Sequence, residues 1–503
     1  MEITTLWKYN MFRFLQRRIS ADQKKGEEGR MLTYSFEDMD HESLYEYLYK
    51  CIRRDILNGR IGAGEKLPSK RSFAKNLGVS TITVESAYAQ LQAEGYIYSV
   101  PKSGYYAAKI RQHLLTPSEK SKEADGGVLA DPPERSCEEY AVDLVNSRVN
   151  PRQFPFTIWA RLLREVLSEK KEALMTKAPG AGVHQLRQAI ADYLLEYQGM
   201  KVRAAQIIIG AGTEYLYSMI IQLLGQDKVY ALEDPGYVKA AEIYRSYGVK
   251  TAYVPMDEWG VSVDELYKKQ ADIVHISPSH HYPTGITTPI GRRYELLAWA
   301  DEKEERYIIE DDYDCEFRLA GRPIPSLQSI DGRGKVIYMN TFTKSLTPTI
   351  RISYMVLPEK LMQRFEEKLG FYACTVSNFE QYTLAEFIAR GYFEKHINRM
   401  RNYYRGKRDE LLSAIREKMP ADKVLVSDAD AGLHFLMEVQ TDLPDEELVR
   451  RAAGQGIRIS CLSQYYHEAP GKMHKVVVNY SGLEKEQTEQ LITGLCRAWF
   501  ENL

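Results

Sequence analysis

Lys344 sits in Thr341-Phe342-Thr343-Lys344-Ser345, directly after the apolar run Val336-Ile337-Tyr338-Met339. A lysine at the C-terminal end of a buried strand is a poor structural choice. It is a good place for a reactive amine, because burial lowers the pKa and the neutral amine is the nucleophile. The chemistry this points to is a Schiff base with an aldehyde cofactor. Arg351 follows and can clamp a phosphate in a charge-assisted pair.

Three further segments carry compatible groups. Gly210-Ala211-Gly212-Thr213 follows an apolar strand and opens a helix, where free N–H groups and the helix dipole suit a phosphate. Glu233-Asp234-Pro235-Gly236-Tyr237 places an aromatic ring at a strand end, able to stack on a flat ring. Glu310-Asp311-Asp312-Tyr313 places carboxylates and a phenol at another strand end. A carboxylate facing a pyridine nitrogen keeps it protonated and an effective electron sink.

Singly, each has a bland alternative. Tyr237 could be ordinary packing in a chain with 35 tyrosines, Asp312 a supporting or capping residue, and Arg351 half of a surface ion pair. His280 and His281 suggest a metal by adjacency, but neighbours on one strand point to opposite faces, so no metal site is expected. The weight lies in the order, with each group at the end of a strand.

The elements that must position these groups run from about Tyr140 to Leu503. Short apolar strands, Ile207-Ile209, Val229-Leu232, Ile273-Ile276, Tyr307-Ile309 and Val336-Met339, alternate there with helical patterns. That alternation predicts an α/β fold with a mostly parallel sheet, whose strand ends converge on one crevice.

The N-terminal part has a different pattern. Leu44, Tyr47, Leu48, Cys51, Ile52 and Ile56 repeat at helical spacing up to Asn58-Gly59. A second helix begins near Ser69 and closes at Gly78; Ser80 caps a third, which ends at Glu94-Gly95. Tyr96-Ile97-Tyr98 and Tyr105-Tyr106-Ala107 are joined by Pro101-Lys102-Ser103-Gly104. This reads as a helix-turn-helix followed by a β-wing. Between His41 and Lys109, ten Lys/Arg face six Asp/Glu, a local charge of about +4 in a chain of net charge −2. Ser69, Lys70, Arg71, Thr81 and Thr83 lie at the helix starts that face a major groove, and Lys102 and Ser103 at the wing tip.

Composition bounds the rest. The 503 residues suggest roughly two to four domains. With 44% apolar and 27% charged residues, the chain has an ordinary globular make-up. No apolar run approaches a membrane span, and six cysteines without CxxC spacing read as reduced thiols of a cytoplasmic protein. The expected division is an N-terminal extension over 1–30, polar and reading as disordered, a winged helix-turn-helix over 31–108, a linker over 109–138 and an α/β domain over 139–503.

Two resemblances sharpen this. Leu67-Pro68-Ser69-Lys70-Arg71-Ser72-Phe73-Ala74, Leu77-Gly78-Val79-Ser80, Thr83-Val84, Ala87-Tyr88 and Glu94-Gly95-Tyr96 resemble the signature of the GntR family of bacterial regulators. One departure is Thr81, where that family often has an arginine able to contact guanine in a bidentate pair. The segments from Tyr140 onward resemble the type I fold of pyridoxal 5'-phosphate (PLP) aminotransferases. That resemblance implies Lys344 as Schiff-base lysine, Asp311 on the pyridine nitrogen, Tyr313 on the phenolic oxygen and Tyr237 as stacking ring. Gly212, Thr213, Thr341, Thr343 and Arg351 would line the phosphate. Tyr282, in Tyr282-Pro283-Thr284-Gly285, stands where aminotransferases have an asparagine. Val477 stands where they have the arginine that binds the substrate carboxylate, with Lys475 and Arg458 as nearby basic residues.

Together the two halves resemble the MocR subfamily. The resemblance implies a homodimeric, PLP-dependent transcription regulator that binds an operator in double-stranded DNA. It would sense PLP or a small amine or amino-acid effector, and would not be an efficient enzyme. The alternative is an active aminotransferase with an attached DNA-binding module.

Overall fold

Apolar residues one helical turn apart make the first element. Leu48, Ile52 and Ile56 line one buried face of α1 (Leu44–Leu57), whose start is held by the Ser43 N–H donating to the Glu46 carboxylate at 3.3 Å. The computed structural model describes residues 32–36, 42–110, 140–146, 150–319, 324–427, 432–468, 470 and 472–500. The expected extension over 1–30 and nearly all of the expected linker lie outside the described residues. The chain divides into two units, Met1–Ser136 and Cys137–Leu503.

In the first unit, α2 (Lys70–Leu77) is capped by Ser69, whose Oγ accepts from the Ser72 N–H, and closes on Gly78 in the left-handed conformation. α3 (Thr81–Ala93) is capped in the same way by Ser80, through the Thr83 N–H at 3.1 Å. β1 (Ile97–Val100) and β2 (Gly104–Ala107) form an antiparallel hairpin, with Ile97 opposite Ala107. Lys102 sits at the tip with φ 63°. The core is Leu48, Ile52, Phe73, Val84, Tyr88, Leu91 and Ile97. Nearby, the Tyr34 hydroxyl donates to the buried Asp55 at 2.9 Å. This is the three-helix winged fold expected from the spacing.

The second unit is built on an eight-stranded sheet: β3 (Ile207–Gly210), β4 (Val229–Asp234), β5 (Lys250–Asp257), β6 (Gly260–Val261), β7 (Ile273–Ile276), β8 (Tyr307–Asp311), β9 (Val336–Thr341) and β10 (Ser353–Val356). Its spatial order is β3-β10-β9-β8-β7-β4-β5-β6. The four pairings from β9 through β5 are parallel; β10 runs antiparallel to both of its neighbours, and β6 antiparallel to β5. The C-terminal ends of β3, β4, β7, β8 and β9 therefore lie along one edge. Helices cover both faces, so the central strands are apolar throughout, as in Ile207–Gly210 and Ile273–Ile276. A second sheet holds β11 (Val424–Ser427), β12 (His434–Val439), β13 (Ser460–Cys461) and β14 (Lys475–Asn479), in the order β11-β12-β14-β13. Among the described residues no helix is long and apolar enough to cross a membrane.

Candidate cofactor site and nucleic-acid interface

Strand alternation sorts the acidic run at the end of β8. Glu310 accepts from the backbone N–H groups of Leu327 and Gln328, and Asp312 accepts from the Tyr338 hydroxyl at 3.0 Å. Both tie down the scaffold, and burial raises both above the usual carboxylate range. Asp311, between them, faces the other way. Its Oδ2 accepts from the Tyr217 hydroxyl at 2.5 Å and lies 3.6 Å from His275 Nε2. Its Oδ1 is buried and finds no hydrogen-bond partner among the described residues. Such an orphan is costly in a folded protein, so it marks a place built for a donor.

Asp311 lies on a cavity of about 220 Å³ together with Tyr217, Tyr237, His275, Tyr282 and Tyr465. Tyr237 follows β4 and lies on the cavity rim, half exposed, its ring 6.3 Å from that of Tyr282. The Tyr282 and Tyr465 hydroxyls bond at 2.8 Å, and Tyr465 continues to Ser460 Oγ at 2.9 Å. Asp234 anchors the segment that brings Tyr465 in, accepting from the His467 N–H.

Lys344 lies on a one-turn helix, α4 (Phe342–Ser345), that follows β9. Burial holds its pKa below the ordinary lysine value, partly opposed by Asp314. Thr341 caps this turn. Its Oγ1 accepts from the Thr343 N–H at 3.1 Å and from Ser353 Oγ at 2.8 Å, and donates to Thr343 Oγ1 at 2.9 Å. Both threonine hydroxyls are thus engaged in shaping the lysine's turn.

Gly212 precedes the helix Thr213–Leu224 with φ 91°, which glycine adopts freely. A side chain there would also collide with Arg351, whose guanidinium would lie 2.5 Å from the added Cβ. Arg351 itself has φ 48°, an uncommon value for a non-glycine residue, and is 46% exposed beside Glu214 at 3.5 Å. Gly212, Thr213 and Arg351 therefore come together at a helix N-terminus.

Tyr313 is half-buried, and desolvation holds its phenol well above its ordinary pKa. Its hydroxyl lies 3.3 Å from His280 Nδ1, which is also 2.9 Å from Asp314 Oδ2. The His434 ring lies tilted against His280, ring centroids 4.7 Å apart, and neither Nε2 has a partner among the described residues. His281 turns the opposite way, to Thr284 Oγ1 at 2.7 Å and Glu233 at 3.4 Å, and burial pushes its pKa down to about 3.

Val477, on β14, is 1% exposed and packs with Leu436, Leu462, Tyr282 and Tyr465. Arg458 pairs with Asp143 at 3.6 Å, and Lys475 lies 3.9 Å from Glu438.

Sequence reasoning missed Tyr217, His275, Tyr465, Ser353 and His434. Two of these had a signal. His275 is a lone histidine in an apolar strand, and Tyr217 stands four residues after Thr213, on the same helix face.

In the winged unit, Ser69 caps α2 and Lys70 pairs with Glu85 at 2.6 Å. Arg71 and Thr81 are exposed at the starts of α2 and α3, and Lys102 is exposed at the wing tip. Thr83 Oγ1 is bonded to Ser80 Oγ at 2.8 Å, and Ser103 Oγ to the Tyr106 hydroxyl.

Comparison with known proteins agrees with both units. Residues 44–106 match the bacterial regulatory proteins of the gntR family, and residues 148–495 match aminotransferase class I and II. The HTH-type transcriptional regulator YdeL of Bacillus subtilis is 36% identical over 464 residues, 91% of this chain and 96% of its own length. The probable rhizopine catabolism regulatory protein MocR of Rhizobium meliloti is 31% identical over 465 residues, 91% and 94% of the two chains. The crystal structure of Pyrococcus horikoshii kynurenine aminotransferase superposes with a TM-score of 0.64 at 24% identity, covering 78% of this chain and 96% of that one.

Proposed function

This chain belongs to the MocR-type transcription regulators of the GntR family, and we propose that its aminotransferase class I and II domain holds PLP and signals PLP itself, or a small amine or amino acid, to the winged helix. The observation that carries the reading is Asp311 Oδ1, a buried carboxylate oxygen without a partner among the described residues. It lies at the end of the strand parallel to the one that leads into Lys344.

The residues present fit the cofactor. Asp311 would meet the ring nitrogen, Tyr313 the phenolic oxygen and Tyr237 a ring face, and Lys344 would take the aldehyde. Gly212, Thr213 and Arg351 would hold the phosphate, with Thr341 and Thr343 shaping the turn beneath it. When bound, PLP supplies an electron sink for bonds at an amine-bearing carbon. The chain supplies the placement. Tyr217 and His275 hold Asp311 in orientation, burial lowers the Lys344 pKa and so favours its neutral, nucleophilic form, and Arg351 brings a positive charge to a helix N-terminus.

Any switch needs an effector that binds two states with different affinity. Titrating PLP into the full-length apoprotein is therefore expected to give a saturable visible band. Operator affinity is then expected to change by about 5- to 150-fold on PLP or amine binding. Failure to take up PLP would remove the cofactor from the reading, and one affinity in every state would remove the sensing. The protein is expected to act in the cytoplasm as a homodimer whose two winged helices read two half-sites. A monomer at micromolar concentration in sedimentation, with PLP present, contradicts that arrangement.

On DNA, Ser69, Lys70, Arg71, Thr81 and Thr83 form the groove-facing set, and Lys102 and Ser103 the wing contact. Arg71→Ala is expected to weaken specific binding by about 1–3 kcal/mol. Lys102→Ala is expected to lower the salt slope by about one, as for a lost phosphate contact. Isotherms at several salt concentrations separate the two, and wild-type affinity in the Arg71 variant takes that residue off the recognition surface.

A further inference from the structure

The recognition helix α3 has the sequence Thr-Ile-Thr-Val-Glu-Ser-Ala-Tyr-Ala-Gln-Leu-Gln-Ala and contains neither lysine nor arginine. Its inner face buries Val84, Ala87, Tyr88 and Leu91. Most of its polar side chains are engaged within the unit: Thr83 with Ser80, Glu85 with Lys70, Gln90 with Glu94, and Gln92 with Ser99 at 3.4 Å. What the first turns turn outward is Thr81, Ile82, Glu85, which is paired with Lys70, and, further on, Ala89. Ile82 is 74% exposed, an aliphatic side chain held in water by a well-capped helix.

A β-branched aliphatic residue gains nothing from water at that position and has only modest helix propensity. It suits a helix whose outward turn meets something apolar. Within the major groove, the apolar feature of a base edge is the C5-methyl group of thymine. Guanine is read chiefly by arginine or lysine, and this helix offers neither. Positive charge for the backbone is available from the exposed Lys102 at the wing tip.

We infer that Ile82, flanked by Thr81, is the specificity-determining residue of the winged helix, and that it selects operators by contact with thymine methyl groups. This rests on the DNA-binding reading given above. The partner is duplex DNA presenting thymine in the major groove of each half-site.

Deoxyuridine substitution tests the methyl group alone, because uracil keeps every hydrogen-bonding group of thymine. A duplex is first enriched from a random pool by the full-length protein. Each thymine is then replaced singly by deoxyuridine, and binding is measured for the wild type and for Ile82→Ala. At one or more positions per half-site the wild type is expected to lose about three- to tenfold in affinity. Ile82→Ala is expected to bind the thymine duplex more weakly and to be indifferent to deoxyuridine at those same positions. Its binding to unrelated duplex at low salt is expected to be unchanged, since Ile82 lies outside the core. Wild-type indifference to every replacement overturns the inference while leaving DNA binding intact. So does an Ile82→Ala variant that keeps the wild-type thymine dependence. A pool that enriches no sequence removes the DNA-binding reading itself, and this inference with it.

Discussion

Lys344→Ala is expected to abolish borohydride-stable pyridoxyl labelling of this protein while leaving the domain folded. The reason lies in the lysine's surroundings. It projects from a one-turn helix whose start is fixed by Thr341 and Ser353, and burial depresses its pKa. A depressed lysine pKa means that the neutral, reactive form appears at lower pH than for a solvent-exposed lysine. Labelling of the wild type is therefore expected to rise as pH climbs through that lowered value, and to be largely complete before surface lysines react. Lys239 forms an ion pair with Glu214, in the first turn of the helix that follows Gly212. Alanine is a good helix former and leaves the Thr341 cap in place, so the apo variant should unfold at a temperature close to that of the wild type. Peptide mass spectrometry after reduction reads the label, and thermal unfolding reads the fold. An undiminished label in a folded variant would move the reactive amine to another lysine.

The parts of this site that were legible are those written within a few residues of each other. Lys344 after an apolar run, the Gly212 turn before a helix and the acidic run after Tyr307-Ile308-Ile309 each combine a strand end with an unusual polar group. What was not legible depends on distant segments meeting. Nothing near Asp311 in sequence names Tyr217, 94 residues away, as its hydrogen-bond donor. Nothing near Tyr282 names Tyr465, 183 residues on. The roles of Glu310 and Asp312 became separable only once the loop at Leu327 and the Tyr338 hydroxyl had been placed against them. The threonines are a third case: sequence places their hydroxyls beside the lysine, and only the fold shows that they bond to each other and to Ser353 on the neighbouring antiparallel strand. In the winged unit far more was legible, because caps, turn and wing are local features, and its core is assembled from helices adjacent in sequence.

The second large expectation is that this protein does not sustain turnover of common α-amino acids, although Lys344 and Asp311 are both present. Transamination requires the substrate's carboxylate to be fixed so that the reacting bond is correctly aimed. A displacement of about 1 Å costs on the order of a hundredfold in rate. In this chain the strand position expected to supply a guanidinium is Val477. It is fully enclosed between Leu436, Leu462 and the bonded pair Tyr282 and Tyr465. An aliphatic side chain cannot make the charge-assisted fork that anchors a carboxylate. The nearby cations do not replace it, since Arg458 is paired with Asp143 and Lys475 lies by Glu438. Arg245 does line the cavity, but from the helix after Tyr237, and it donates to the Tyr253 hydroxyl at 3.1 Å. The groups that remain at the Val477 wall are phenols, the Ser460 hydroxyl and aliphatic carbons, none of which brings a positive charge to a carboxylate. A panel of amines and amino acids, followed by the visible spectrum of the PLP-loaded protein and by a coupled assay for keto acid, separates the cases. Spectral change without accumulating product marks a sensor. Many cycles of keto-acid formation from an ordinary α-amino acid would mean that an enzyme has been taken for a regulator's sensing domain.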